Sequence, residues 1–255
     1  MISIVIPTHN RPDLLKNAIY SVINQTYKNI EIIVVDDAST SNNQSVIDSF
    51  DENIKYHRFE TNQGGNVCRN KGVELSDGEY IAFLDDDDIW LPEKLEKQLY
   101  LMKENDIDLC YTGKNIITVD EGLKELNRRY SFVNPKYTSL KKSIMHKNFI
   151  GTTSSIMIKK EKFFVIGGFD VNMPALQDYE LYLRFIHAEL SVKGIDEGLL
   201  DYFIYQNKSA ISKSLKKKFK AMKLIINKNK NKKYLYYLFL EFSKNIFKSI
   251  LLGHK

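Results

Sequence analysis

Four short apolar runs, each followed by a helical stripe, constrain this chain more than any other feature. Residues 2–6, 30–35, 54–59 and 80–84 are rich in β-branched or aromatic side chains, as buried strands are. After the first run, Pro12 stands where a helix tolerates proline, and Leu14, Leu15, Ala18, Ile19, Val22 and Ile23 recur at helical spacing. Helices near residues 44–50 and over residues 66–75 repeat the alternation. Parallel neighbours need a crossover of about a dozen residues or more, usually a helix. The succession therefore predicts an α/β fold: a mostly parallel central sheet flanked by helices, with right-handed connections.

Ligands of such a sheet bind beyond the carboxyl ends of its strands. The polar residues of this chain gather there: residues 8–11 after the first run, Asp36 and Asp37 after the second, and Asp85, Asp86, Asp87 and Asp88 after the fourth. Two carboxylates about 6 Å apart repel by about 3 kcal/mol at an effective dielectric near 20, so four in a row call for a cation. A hard divalent ion takes carboxylate oxygens and shares its remaining positions with phosphates. The competing reading is a solvated acidic turn, with Asp88 or a neighbour capping a helix that begins near Pro92. Convergence of three segments on one edge favours the ligand, and the mixture of acids and cations predicts a nucleotide. Gly64 and Gly65, ahead of a helix carrying Arg69 and Lys71, form either a diphosphate cradle or a plain loop and cap.

Downstream, a helix of roughly four turns is expected from Pro92 to Asn105, and a strand over residues 109–119 with a break near Gly113. Residues 120–150 carry no clear pattern, and residues 159–164 read as a short helix. Residues 177–185 read as a helix with Asp178 in its first turn, where an aspartate serves as N-cap or as a general base aimed into a cleft. The five histidines show no ligand spacing, and Tyr27, Tyr179 and Tyr182 read as packing residues.

The formal charge of +5 conceals a division. Residues 213–255 hold 13 lysines against one acid, Glu241, a balance of +12 that leaves residues 1–212 at −7. This argues against a nucleic-acid-binding face and for a localised contact made by the tail. There, a lysine-rich stretch adjoins an apolar face of Leu235, Leu238, Phe239, Phe242, Ile246 and Ile250. Such a tail lies on an anionic membrane surface, packs on the body, or joins a second copy. Cys68 and Cys110 make no framework, which points to a reducing compartment. No leader or spanning segment of about 18 apolar residues is seen. The expected location is cytoplasmic, with peripheral contact at the inner face of the cell membrane left open.

Five motifs in order now define a resemblance: Pro7-Thr8-His9-Asn10-Arg11, Val34-Val35-Asp36-Asp37-Ala38-Ser39, Gly65-Asn66-Val67-Cys68-Arg69-Asn70-Lys71-Gly72, Phe83-Leu84-Asp85-Asp86-Asp87-Asp88 and Gln177-Asp178-Tyr179-Glu180-Leu181-Tyr182-Leu183-Arg184. Over about residues 1–205 the chain resembles glycosyltransferase family 2, the inverting nucleotide-sugar enzymes of the GT-A fold. The resemblance implies a Rossmann-like domain over residues 1–207, with a nucleotide-sugar-binding half at 1–112 and an acceptor-binding half at 113–207, followed by a basic amphipathic helical tail at 208–255. It implies a nucleotide-sugar donor, UDP-sugar favoured, a glycan, glycoprotein or lipid-linked acceptor, and Mn²⁺ or Mg²⁺.

Carried over by position, Thr8 and Asp37 hold the uracil, and Pro7, Asn10, Arg11 and Asp36 shape its pocket. Asn66 and Arg69 belong to the donor site, Arg69 near the base and diphosphate. Asp87 is the metal ligand, Asp85 faces ribose or metal, Asp86 supports them, and Asp178 is the catalytic base. Gln177 stands where the family often has glutamate, which bears on acceptor contacts more than on the base. Two other classes compete. A nucleotidyltransferase needs a glycine-rich triphosphate loop after the first strand, which residues 7–12 are not. A non-catalytic nucleotide-sugar binder has no need of Asp178.

Overall fold

The structure, a computed structural model, describes residues 1–50, 54–120, 122–206 and 215–228. The expected alternation opens the chain: β1 (Ile2–Thr8), α1 (Pro12–Ile23), β2 (Ile30–Asp36), α2 (Asn43–Ile47), β3 (Ile54–Arg58), α3 (Gly65–Glu74) and β4 (Tyr80–Phe83). A short β5 (Asp88–Trp90) precedes α4 (Lys94–Glu104), and then come β6 (Leu109–Val119), β7 (Glu125–Ser131) and α5 (Leu140–His146). A single 3-10 turn at Thr153–Ser155 leads into β8 (Ile156–Lys159), followed by α6 (Lys160–Val165), α7 (Gln177–His187), β9 (Val192–Tyr205) and α8 (Leu215–Lys228).

All the strands join one sheet in the order β3-β2-β1-β4-β8-β6-β9-β5, with β7 added beside β6. β3, β2, β1 and β4 are mutually parallel; β8 then enters antiparallel between β4 and β6. The sheet sorts its side chains by alternation. Ile2, Ile4 and Ile6 of β1 pack with Leu15, Ala18 and Ile19 of α1 and with Leu95, Leu99 and Met102 of α4. Val5, pointing the other way, joins Phe83, Phe163, Phe169 and the buried face of α7, including Leu181, Tyr182 and Phe185. Helix α3 closes on this second face through Gly72. A Cβ there would sit 2.2 Å from Val5 Cγ1, so the helix approaches β1 as only glycine allows.

Pro7 marks where the sheet opens. The Val5 carbonyl accepts from Leu84 N at 3.0 Å and the Thr8 carbonyl from Asp37 N at 2.9 Å, so odd residues of β1 face β4 and even ones face β2. The ladder to β4 ends at Val5 opposite Phe83. Pro7 therefore lacks its N–H at a position where no strand remains to accept it. Beyond it β4 turns away into the aspartate run.

The second half holds what local pattern did not reveal. Residues 112 and 113, where the two halves were divided, lie inside β6, and the expected break near Gly113 is a shift of register against β9. β5, taken as loop or cap, pairs antiparallel with β9, Asp88 opposite Tyr202. Helix α8 buries Ala221, Met222 and Ile225 against the core. The rest of the tail expected at 208–255 lies outside the described residues. Among the described residues no helix is long and apolar enough to cross a membrane.

Candidate active site at the strand ends

The carboxyl ends of β1, β2 and β4 meet as expected, and their polar side chains sort into scaffold and pocket. Asp36 is scaffold. Its carboxylate, fully buried, accepts from Ser39 N at 2.8 Å, Asn43 Nδ2 at 2.8 Å and Tyr56 Oη at 2.7 Å. Burial acts to raise its pKa, but these hydrogen bonds hold it below the ordinary aspartate value. Asn10 is scaffold too: its Oδ1 accepts from Thr40 N at 2.7 Å and Ser41 N at 3.2 Å, tying the loop after β1 to the loop after β2. Asp37 holds the glycine loop, accepting from Gln63 N at 2.6 Å and Gly64 N at 2.9 Å. Those two amides thus serve Asp37, which favours the loop-and-cap reading of residues 61–65. Asn66, buried, donates to the Asp170 carbonyl at 2.8 Å, and Asn70 exchanges hydrogen bonds with both Phe169 N and O at 2.9 and 2.8 Å. Helix α3 thereby clamps the segment that leads to α7.

The aspartate run lies at the centre. Thr8 Oγ1 donates to Asp86 Oδ2 at 2.8 Å, and Arg11 Nη1 reaches Asp86 Oδ1 at 2.9 Å and Asp87 Oδ2 at 3.0 Å. Arg69, buried, pairs with Asp85, whose other oxygen accepts from Thr153 Oγ1 at 3.1 Å. Asp85 N is anchored on Ser154 Oγ at 3.0 Å. Burial pushes the Asp86 carboxyl up to about 6 despite Arg11 beside it. Burial and then the neighbouring carboxylates also raise Asp87 and, further, Asp88, whose buried Oδ2 has no hydrogen-bond partner among the described residues.

These residues fit a divalent cation of one kind only. Among the described residues no three acidic, histidine or cysteine side chains form a metal cage. An ion held by one or two carboxylates, with substrate phosphates and water completing its shell, needs none. Asp87, one third exposed, and Asp85 beside it offer such a seat, and the raised carboxyls together with the orphaned Asp88 oxygen register a negative field that a cation would relieve.

Asp178 enters this pocket from α7. Leu176, at φ 57, occupies the N-cap position, so Asp178 is not the cap; it lies within the first turn, half-buried, accepting from Tyr179 N at 2.7 Å. Burial raises its carboxyl, opposed by Tyr179 N, Lys114 and Arg69. Lys114 was missed by sequence reading, as were Thr153, Ser154 and Tyr202. Each reaches the site from a strand or turn without a recognisable motif. Tyr179 and Tyr182 are packing residues, donating to the Ile144 and Thr152 carbonyls at 2.9 and 3.2 Å.

The architecture is that of a GT-A domain, a mixed sheet whose parallel strands carry an acidic pocket at their carboxyl edge. Staphylococcus aureus TarS 1-349 in complex with UDP superimposes with a TM-score of 0.73 at 18% identity, covering 97% of this chain and 72% of that one. Its complex with UDP-GlcNAc gives 0.70 at 18% identity, over 88% and 65%. This chain matches 39% of a longer TarS chain. The profile described as Glycosyl transferase family 2 matches residues 3–166. An uncharacterized glycosyltransferase of Haemophilus influenzae is 33% identical over 214 residues, 83% of this chain and 71% of the relative. The putative teichuronic acid biosynthesis glycosyltransferase TuaG of Bacillus subtilis is 28% identical over 219 residues, 84% and 82%. The UDP-Glc:alpha-D-GlcNAc-diphosphoundecaprenol beta-1,3-glucosyltransferase WfgD of Escherichia coli is 29% identical over 224 residues, 88% and 83%. The chain belongs to glycosyltransferase family 2 and is a transferase enzyme.

Proposed function

We propose that this enzyme inverts configuration as it moves a sugar from a UDP-sugar to a hydroxyl of a glycan, glycoprotein or lipid-linked acceptor in bacterial surface-glycan assembly. The observation that carries the reading is Asp178, a half-buried carboxylate within electrostatic reach of Arg69, Lys114 and Asp85. Support for the donor comes from the names of the relatives: WfgD uses UDP-Glc, and TarS was seen with UDP and UDP-GlcNAc. TuaG belongs to teichuronic acid biosynthesis. A cytoplasmic enzyme meeting its acceptor at the inner face of the membrane follows from that reading.

In this mechanism Thr8 and Asp37 border the uracil, while Asp36 and Asn10 keep the two loops in register. The acceptor oxygen attacks the anomeric carbon opposite the departing diphosphate, and Asp178 takes its proton as the new C–O bond forms and the old one breaks. A raised carboxyl pKa suits a base, since the carboxylate then holds the proton it takes more firmly. Arg69, which pairs with Asp85, is the cation assigned to offset charge growing on the diphosphate. Mn²⁺ or Mg²⁺ seated on Asp87 with Asp85 would supply further neutralisation of that charge.

Release of nucleoside diphosphate from a panel of nucleotide sugars, with and without Mn²⁺, tests the donor. UDP-sugars should respond and other donors should not; no metal-stimulated release from any of them would sink the reading. Asp178→Asn should retain UDP affinity while transfer falls by about two to four orders of magnitude, the usual contribution of a positioned base. Equal transfer by variant and parent would remove Asp178 from that position.

A further inference from the structure

The acceptor side of the pocket carries cations that the donor side does not account for. Directly opposed residues of neighbouring strands share a face. Arg129 of β7 lies opposite Ile116 of β6, Ile116 opposite Tyr202 of β9, and Tyr202 opposite Asp88 of β5. One row thus runs from the aspartate cluster outward across three strand spacings, about 14 Å, to an exposed arginine. Lys114, two residues before Ile116, lies on the same face, its Nζ 4.5 Å from the centroid of the Tyr202 ring. It is also within electrostatic reach of Asp88 and Asp178.

The cations of the pocket divide by use. Arg11 is engaged by Asp86 and Asp87, and Arg69 by Asp85. Arg128, next to Arg129 but on the opposite face of the hairpin, pairs with Glu125 and Asp201. Lys114 and Arg129 form neither an ion pair nor a hydrogen bond among the described residues, apart from the contact of Lys114 with the Tyr202 ring. A neutral acceptor gains nothing from two cations on its path that no carboxylate holds in an ion pair. An acceptor bearing phosphate, in contrast, would be repelled by Asp85, Asp87, Asp88 and Asp178 unless cations offset them on its own side.

We propose that Lys114 and Arg129, with Tyr202 as the platform between them and Asp88, form a subsite for a phosphate or diphosphate carried by the acceptor next to the sugar that is extended. The proposal rests on the glycosyl-transfer reading above and names the chemical class of its acceptor. The phosphate belongs either to a polyprenyl diphosphate headgroup or to a soluble sugar phosphate.

Calorimetric titrations of the full chain test this. UDP is titrated first, with Mg²⁺, and the UDP-saturated protein then receives glucose 1-phosphate, methyl glucoside, or a polyprenyl-diphosphate-linked glucose in detergent micelles. The phosphorylated ligands should bind saturably and methyl glucoside at least tenfold more weakly. Arg129→Gln and Lys114→Gln should each weaken the phosphorylated ligands at least tenfold, and Arg129→Gln should leave UDP affinity unchanged. Arg128→Gln, of equal charge change on the opposite face, should leave both unchanged. Tighter binding of the lipid diphosphate than of glucose 1-phosphate assigns the subsite to a lipid-linked acceptor, and equal binding assigns it to a soluble one. Equal affinity for charged and neutral ligands, no binding of either, or equal weakening by Arg128→Gln overturns the subsite while UDP binding stands. Absence of UDP binding overturns the donor reading and the subsite with it.

Discussion

Lys94, at the start of α4, has no carboxylate partner among the described residues, and its removal should make relative stability depend on pH. The side chain is fully buried; Nζ donates to Gln98 Oε1 at 2.6 Å and sits 4.1 Å from the Trp90 ring centroid. Gln98 Nε2 in turn donates to the Cys110 and Ser155 carbonyls, both at 3.0 Å. Burial depresses the ammonium from 10.5 to about 7. Between those values the unfolded chain holds a proton that the folded chain has released, so stability rises with pH by about 1.4 kcal/mol per unit. Relative to a residue that does not titrate, Lys94 disfavours folding by about 4 kcal/mol at pH 7 and by about 1 kcal/mol at pH 10. Lys94→Met abolishes that burden but leaves Gln98 Oε1 buried without a donor, a loss of about 2 kcal/mol at every pH. The variant should therefore be more stable than the parent by about 2 kcal/mol at pH 7 and less stable by about 1 kcal/mol at pH 10, the two curves crossing at about pH 9. Urea unfolding of both proteins at four pH values from 7 to 10 measures the difference. A difference that does not change with pH would refute the argument, because every contribution except the titration is constant.

Three other outcomes follow from the geometry. Gly72→Ala places a Cβ 2.2 Å from Val5 Cγ1 and should destabilise the protein by about 3 kcal/mol, read as a lower urea midpoint; a change within error would mean α3 can move off β1 without loss. Asn70→Ala removes both hydrogen bonds to Phe169 and should cost about 2 kcal/mol in the same assay, while an unchanged midpoint would show that water replaces the clamp. Because burial raises the Asp178 carboxyl, transfer should fall with acidification along a limb above the ordinary aspartate value of about 3.9, as the base becomes protonated. A rate that stays flat down to pH 4 contradicts that environment.

The site divides labour between neighbours in the chain. Asp36 and Asp37 are adjacent, yet one carboxylate is filled by Ser39, Asn43 and Tyr56 and the other braces the glycine loop. In the aspartate run, Asp86 is closed over by Thr8 and Arg11, while Asp85 and Asp87 remain partly open. Strand alternation and the turn after β4 account for this: successive side chains leave the backbone in different directions and meet different elements.

By itself the sequence determined the first four strands, the helices between them and the edge on which polar residues converge. Those features are local: an apolar run must be buried, a helical stripe must cover it, and hydrophilic residues at a parallel strand end have one direction to face. Tertiary structure alone decided the rest. β9 carries Asp196, Glu197 and Asp201, and β7 is exposed along most of its length; β9 is a strand because distant segments pair with it and β7 because β6 folds back on it, not because their own pattern demands it. The same holds for the row Arg129, Ile116, Tyr202 and Asp88, whose members share no local spacing. A one-residue slip in any of its ladders would turn a side chain to the opposite face, so the row exists only through register, which long-range pairing sets. Which carboxylates of the pocket are filled and which stay open is fixed in the same way, by partners brought from elsewhere in the chain.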